Sequence, residues 1–248
     1  MCTLAVCFKV FDGFSLVVAA NRDEFSDRPS LGPQVLCGEP RVFGPHDARA
    51  GGTWTGLNEF GLFAALTNIS GVAERNPDLA SRGLLVLDAL RCQSAADAAA
   101  RISHSARPGV YNPFQAVLAD RHRLFVVKYI EGPRVEERGS GVHAFSNWDE
   151  FEDVGAFKGE LVRARIGSIP KDDVGAAVPA LKALLSDHSG GEWHHRLCVH
   201  TDGYGTMSAQ IFALGDRFRG ALYLWAGGHP CETTFEDVTP AMKGVLGW

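Results

Sequence analysis

The sequence predicts an α+β fold in which two sheets are sandwiched between layers of helices. Two observations predict it. Hairpin-like segments alternate with pairs of helix-like segments along the chain, and single hairpins cannot bury both of their faces alone, so sheets must stack and be covered. The length of 248 residues, 46% of them hydrophobic, is ample for a buried core in one domain over 1–248.

The elements follow in order. Thr3 to Val10 and Ser15 to Ala20 are rich in β-formers and flank the turn dipeptide Asp12-Gly13, a hairpin signature. Prolines at 29, 33, 40 and 45 predict that Arg28 to His46 is mostly loop with short extended pieces. A second hairpin is expected from Gly52 to Leu57 and Gly61 to Thr67, joined by Asn58-Glu59-Phe60-Gly61. The period then changes. Leu84, Leu85, Leu87, Asp88 and Leu90 lie in a helix-forming stretch, and Ser94-x-x-Asp97 ahead of an alanine run marks a second helix start. Phe114 to Tyr129 reads as strands about a turn at 120–123, and Val142 to Ser146 as another strand. Glu160 to Ile166 and Val178 to Leu185 read as helices, the latter entered near Pro179. Met207 to Leu214 and Ala221 to Ala226 are the last strands.

Composition excludes several classes. Lys+Arg number 24 against 29 Asp+Glu, a net charge of −5 without the basic excess of a nucleic-acid binder. No apolar run reaches the roughly 18 residues of a transmembrane segment. Met1 to Ala20 is apolar, but it lacks a basic leader and Lys9 and Asp12 interrupt it, so it is not read as a signal peptide. The six cysteines are dispersed with no C-x-x-C pair, which fits free thiols in a reducing, cytoplasmic setting.

Four residues are candidates for chemistry. Cys2 follows the initiator methionine; once that is removed, its thiol lies beside its own α-amine, whose pKa near 7.7–8.0 suits an internal general base. Asp23, in Asn21-Arg22-Asp23-Glu24, falls where the first hairpin returns towards Cys2 and can orient that amine. Asn68 and Asn147 close two apolar strands and offer amide N–H groups to an oxyanion.

Met1-Cys2-Thr3-Leu4, Asn21-Arg22-Asp23-Glu24, Gly51-Gly52-Thr53-Trp54, Leu66-Thr67-Asn68 and Asp202-Gly203-Tyr204-Gly205-Thr206 together resemble the NRDE family, which includes the transport and Golgi organisation protein 2 homologues. The likeness runs from residue 1 to about 235, with Met207 standing where the family usually carries arginine. Gly56-Leu57-Asn58-Glu59-Phe60-Gly61-Leu62, Ser146-Asn147 and 224–232 are more distantly similar to N-terminal nucleophile hydrolases of the choloylglycine hydrolase and isopenicillin N acyltransferase type. That resemblance implies a four-layer αββα sandwich and cleavage of a small amide or acyl compound through an acyl-cysteine. It makes Cys2 the nucleophile, Asp23 its orienting carboxylate, and Asn68 and Asn147 the oxyanion donors. Asn21, Arg22 and Trp54, from the same motifs, are expected to bind substrate. The alternative is a non-catalytic carrier of haem, acyl-coenzyme A or lipid on the same fold.

No cofactor or metal is expected. His194-His195-x-x-Cys198-x-His200 offers ligand types suited to zinc or iron. A single straight strand would hold its alternate residues too far apart to close a tetrahedron, and the run is read as a polar loop entering a strand.

Overall fold

The computed structural model describes residues 3–149, 152–216 and 218–248. These group into two compact units: the chain up to Arg28 with Ser140–Thr239, and Pro29–Gly139 with Pro240–Trp248. The first unit opens with β1 (Thr3–Phe8) and β2 (Phe14–Phe25), paired antiparallel as the hairpin expected from Asp12-Gly13. Gly13 supplies the left-handed turn conformation at φ +74. Every residue of β1 is buried, which explains a continuous apolar run where an exposed strand would alternate.

The second unit is a seven-stranded antiparallel meander. Its elements are β3 (Ser30–Gly38), β4 (Arg41–Asp47), β5 (Thr55–Asn58), β6 (Phe63–Asn68), α1 (Arg82–Ala89), α2 (Ala95–Ser105), β7 (Phe114–Ala119), β8 (Leu124–Tyr129) and β9 (Pro133–Arg138). Leu85, Val86 and Ile102 of the helices pack with Leu66, Leu118 and Val127 of the sheet. Ser94 caps α2 as its motif predicts, accepting from the Asp97 amide at 3.1 Å.

The expectation of a loop over 28–46 is corrected here: β3 and β4 form a hairpin at the sheet edge. The prolines stand where no ladder bond is needed. Pro29 precedes the strand, Pro33 lies in the bulge between Leu31 and Gln34, and Pro40 is in the turn. Pro45 faces that bulge and lies outside the short β4–β5 pairing at Val42 and Phe43. The opposite edge, β9, carries Arg134, Glu136, Glu137 and Arg138, charges that discourage edge-to-edge association.

Gly52 explains part of the Gly-Gly-Thr-Trp motif. A Cβ there would stand 2.3 Å from the carbonyl carbon of Gly83, and the Thr53 amide donates to Gly83 O at 3.1 Å. Two backbones touch at this point, and neither can yield as a side chain would. Gly52→Ala is expected to destabilise by about 3 kcal/mol, the upper end for overpacking. Chemical denaturation checks this, with Gly132→Ala, whose added Cβ meets nothing within 4 Å, as the neutral comparison.

The chain then returns to the first unit with β10 (Gly141–Ser146), α3 (Glu152–Gly167), α4 (Val174–Leu185), β11 (His200–Thr201), β12 (Tyr204–Gly215), β13 (Leu222–Ala226) and β14 (Glu236–Asp237). Its sheet runs β10-β1-β2-β12-β13-β14, with β11 on β12. Val162, Ile166, Leu181 and Leu184 of the helices pack with Ala5, Val17, Ala19, Ile211 and Ala213. Pro179 lies inside α4, not at its entry; the start is set by Asp173, whose side chain accepts from the Gly175 amide at 2.7 Å. Proline suits a first turn without marking it. The last segment, with α5 (Thr239–Leu246), belongs to the second unit from Pro240 onward, and within that unit the indole N–H of Trp248 donates to Glu59 O.

Each unit fastens its sheet to a helix end with one fully buried asparagine. In the first, Asn21 Nδ2 donates to Leu185 O (2.8 Å), where α4 ends, and to Leu197 O (2.7 Å). In the second, Asn58 Nδ2 donates to Leu90 O (2.9 Å) and Cys92 O (2.7 Å), beyond α1. Asn58 Oδ1 also accepts from the Phe60 and Leu62 amides, each at 3.0 Å.

Candidate functional site

One end of the first unit's sheet is polar and buried. Thr3 pairs with Asn21 of β2 on one side and Ser146 of β10 on the other. The Asn21-Arg22-Asp23 and Ser146-Asn147 segments therefore flank the start of β1. Cys2 itself lies outside the described residues. Thr3, Asn21, Arg22, Asp23, Ser146, Asn147, Thr206 and Ser208 are all buried. Buried polar groups of this density cost stability unless paired or used.

Asp23 is held by the last residue of the Asp202–Thr206 motif, to which the sequence alone assigns no role. Thr206 Oγ1 donates to Asp23 Oδ1 at 2.5 Å and accepts from the Val199 amide at 2.9 Å. The hydroxyl has one hydrogen, and the backbone amide can only donate, so that hydrogen is directed at the carboxylate. A β-bulge makes the contact. Ser208 is opposite Arg22 and Thr206 is opposite Asp23, leaving Met207 as the extra residue. Without the bulge Met207, not Thr206, would face Asp23. Gly205 permits the approach of the 199 segment, since a Cβ there would lie 2.6 Å from Val199 O.

Asn147 is positioned by a turn closing β10. Asp149 Oδ1 accepts from both the amide (2.9 Å) and the hydroxyl (2.7 Å) of Ser146, whose Oγ in turn accepts from the Trp148 amide at 3.1 Å. Gly155 of α3 admits this turn, because a Cβ would come within 2.9 Å of Asp149 Cα.

The remaining expected residues fall differently. Both amide hydrogens of Asn21 go to backbone carbonyls, so in this structure it secures the fold. Arg22, on the next and opposite-facing position, lies 3.8 Å from Glu24. Asn68 and Trp54 belong to the second unit. Asn68 ends β6 opposite Phe114 and is half-buried, while Trp54 is buried, its carbonyl accepting from the Leu66 amide at 2.9 Å.

Among the other thiols, burial pushes Cys7 up to about 12 and raises Cys92 as well. Burial, then the neighbouring Cys231, pushes Cys198 up to about 12. Such thiols are protonated and unreactive at neutral pH. The histidine run divides. His194 lies 3.3 Å from Glu192, and the His195 ring meets Phe157 edge-on. Cys198 and His200 instead meet His188 and Cys231, which the sequence reading did not include.

The fold resembles the Caenorhabditis elegans N-acylethanolamine-hydrolyzing acid amidase ortholog, with TM-score 0.57, 13% identity, and coverage of 87% of this chain and 94% of that one. It also resembles penicillin V acylase from Agrobacterium tumefaciens, with TM-score 0.60, 14% identity, and coverage of 96% and 86%. At such identities the likeness shows the fold, and the α+β fold is that of the N-terminal nucleophile hydrolases. In sequence, the chain is 34% identical over 113 residues to the Mus musculus Transport and Golgi organization 2 homolog, which takes in 44% of this chain and 40% of that protein. The match thus spans well under half the length of that relative. The family model for Transport and Golgi organisation 2, by contrast, matches residues 1–213, and the chain belongs to that family.

Proposed function

We propose that this protein is a cysteine hydrolase or acyltransferase that takes a small amide or acyl compound through an acyl-enzyme on Cys2. The observation that carries the reading is the buried polar end of β1. Thr3, to which Cys2 is joined, pairs between the strands bearing Asp23 and Asn147, and Thr206 fixes the carboxylate.

Removal of Met1 frees the α-amine of Cys2 to act as the base. The Cys2 sulfur attacks the substrate carbonyl carbon and its proton passes to the α-amine. The tetrahedral oxyanion takes a hydrogen bond from the Asn147 side-chain amide. Collapse expels the amine, which takes the proton from the α-ammonium, and leaves a thioester. Water, or an acceptor nucleophile, then attacks the thioester and restores the thiol. Asp23 orients the ammonium. Asn68, carried by the second unit, enters only through the family likeness, and Asn68→Ala tests it separately.

The experiment is intact-mass analysis of protein made in cells, followed by incubation with a panel of N-acyl amides and acyl thioesters. The expected result is loss of Met1 and an acyl increment mapping to the Cys2 peptide. Retention of Met1 in most molecules, or no acyl adduct with any substrate, overturns the hydrolase reading and favours a carrier of acyl-coenzyme A, lipid or haem.

Thr206→Val is expected to lower kcat/KM by about 10- to 100-fold with a shifted pH profile, and Thr206→Ser to restore both. A purely structural threonine would lower the amount of folded protein without moving the profile.

A further inference from the structure

Four ligand-type side chains that this mechanism does not use gather in one place. His188 lies beyond the end of α4, Cys198 and His200 bracket Val199 ahead of β12, and Cys231 follows β13. Their ligand atoms all lie within 4.8 Å of one another. Cys198 Sγ is 3.7 Å from Cys231 Sγ and 3.5 Å from His200 Nε2, and His200 Nε2 is 3.2 Å from Cys231 Sγ.

These three distances are close to the edges of one face of a coordination tetrahedron. Zinc bonds of about 2.3 Å to sulfur and 2.0–2.1 Å to nitrogen give edges near 3.8 Å for S–S and 3.6 Å for S–N. The chelating unit is not the straight strand segment weighed from the sequence: the chain folds two further ligands in from loops 10 and 33 residues away from Cys198.

The surrounding hydrogen bonds point the same way. His188 Nδ1 is 3.1 Å from Cys198 O. A carbonyl oxygen can only accept, so Nδ1 carries the hydrogen and Nε2 keeps its lone pair, the tautomer that metal-bound histidines adopt through a carbonyl partner. The His229 ring lies against that of His200, with centroids 4.0 Å apart. His188 and Cys231 are exposed while Cys198 is buried, which gives an ion a path in and an anchored seat.

We infer that His188, Cys198, His200 and Cys231 form a tetrahedral zinc site. Two thiolates and two neutral imidazoles match the borderline softness of Zn2+, and two thiolates neutralise its charge. The ion would tie the segment from His188 to His200 to the loop after β13. Because Val199 lies between two ligands and its amide holds Thr206, the site also braces Asp23. This inference stands whether or not Cys2 is a nucleophile.

The test is metal analysis by inductively coupled plasma mass spectrometry on the reduced, full-length protein after exposure to micromolar Zn2+ and desalting. About one zinc per chain is expected, with apparent affinity reduced at least about 100-fold in Cys231→Ser and in His188→Ala. Both substitutions are at exposed positions, so circular dichroism can confirm that they fold. Cys37→Ser should retain full zinc. Cobalt in place of zinc should give the thiolate charge-transfer and intense visible bands of a tetrahedral S2N2 centre. Zinc loading should also protect Cys231 from iodoacetamide. Failure of the wild type to hold zinc, unchanged binding by Cys231→Ser, or copper or iron held in preference to zinc would overturn the assignment. So would a Cys198–Cys231 disulfide whose reduction restores no binding.

Discussion

Cys2→Ala is expected to abolish turnover, by roughly 10^4-fold or more in kcat, because it removes the only atom to which the acyl group is transferred. The α-amine, Asp23 and Asn147 all remain in this variant, so the loss isolates the thiol. Cys2→Ser retains a nucleophilic oxygen beside the same amine and should fall between the two, since a hydroxyl is far harder to deprotonate than a thiol of pKa about 8.5. Asp23→Asn keeps shape and hydrogen bonding but removes the charge that orients the ammonium, and should cost about 100-fold. Steady-state kinetics on whichever substrate acylates the wild type provides the measurement. Activity in Cys2→Ala within tenfold of wild type would rule out the acyl-cysteine route.

The largest effect on stability is expected at Asn58. Its side chain makes four hydrogen bonds to backbone, donating to Leu90 O and Cys92 O and accepting from the Phe60 and Leu62 amides, and it is 0% exposed. Asn58→Ala leaves buried carbonyls and amides short of partners and opens space between hairpin and helix end. A loss of about 4 kcal/mol follows from typical costs of unsatisfied buried groups, against a total of only about 5–15 kcal/mol for a typical protein. In thermal unfolding that corresponds to a fall of about 8–16 °C for a chain of this size. Asn58→Asp is the informative companion. It preserves the acceptor for Phe60 and Leu62 but sets a carboxylate against two carbonyl oxygens, so it should be no better than alanine. A fall under about 1 kcal/mol in both variants would show that the turn closes without this amide.

The parts of this fold that sequence revealed are those whose local chemistry and burial agree. The first hairpin was visible because Asp12-Gly13 suits its turn and β1 is buried throughout. The start of α2 was visible because Ser94 and Asp97 make the capping contact their spacing advertises. Elsewhere the signal depends on pairing. The prolines of β3 and β4 read as loop until register shows them in a bulge, a turn and an unpaired position. β9 carries four charges in six residues and has no hydrophobic pattern to detect, being an exposed edge. At the candidate site, Asp23 and Asn147 could be named from strand ends and family motifs. Thr206 could be seen only as part of a motif, because its partner is 183 positions away. Cys198 and His200 stand out in the sequence as ligand types, but their companions His188 and Cys231 are set by loop paths that no spacing rule encodes.

The bulge at Met207 has a consequence for how this region can change. Along β12, Ala209, Ile211 and Ala213 share the face of Asn21, Ala19 and Val17, whereas ahead of Met207 it is Thr206 and Tyr204 that stand opposite Asp23 and Phe25. The alternation of the strand thus switches from odd to even positions across one residue. Which side chain meets Asp23 is therefore set by the register on either side of the bulge rather than by the identity of residue 207. Any substitution at Met207 leaves the frame intact and alters only what the extra residue presents. Removing the residue would join Thr206 to Ser208 and leave Thr206 opposite Asp23 in an unbroken ladder, without the local bend and added twist that the bulge gives the strand. Residue 207 thus shapes the path of the strand at this corner, while the partner of Asp23 is the same with or without it.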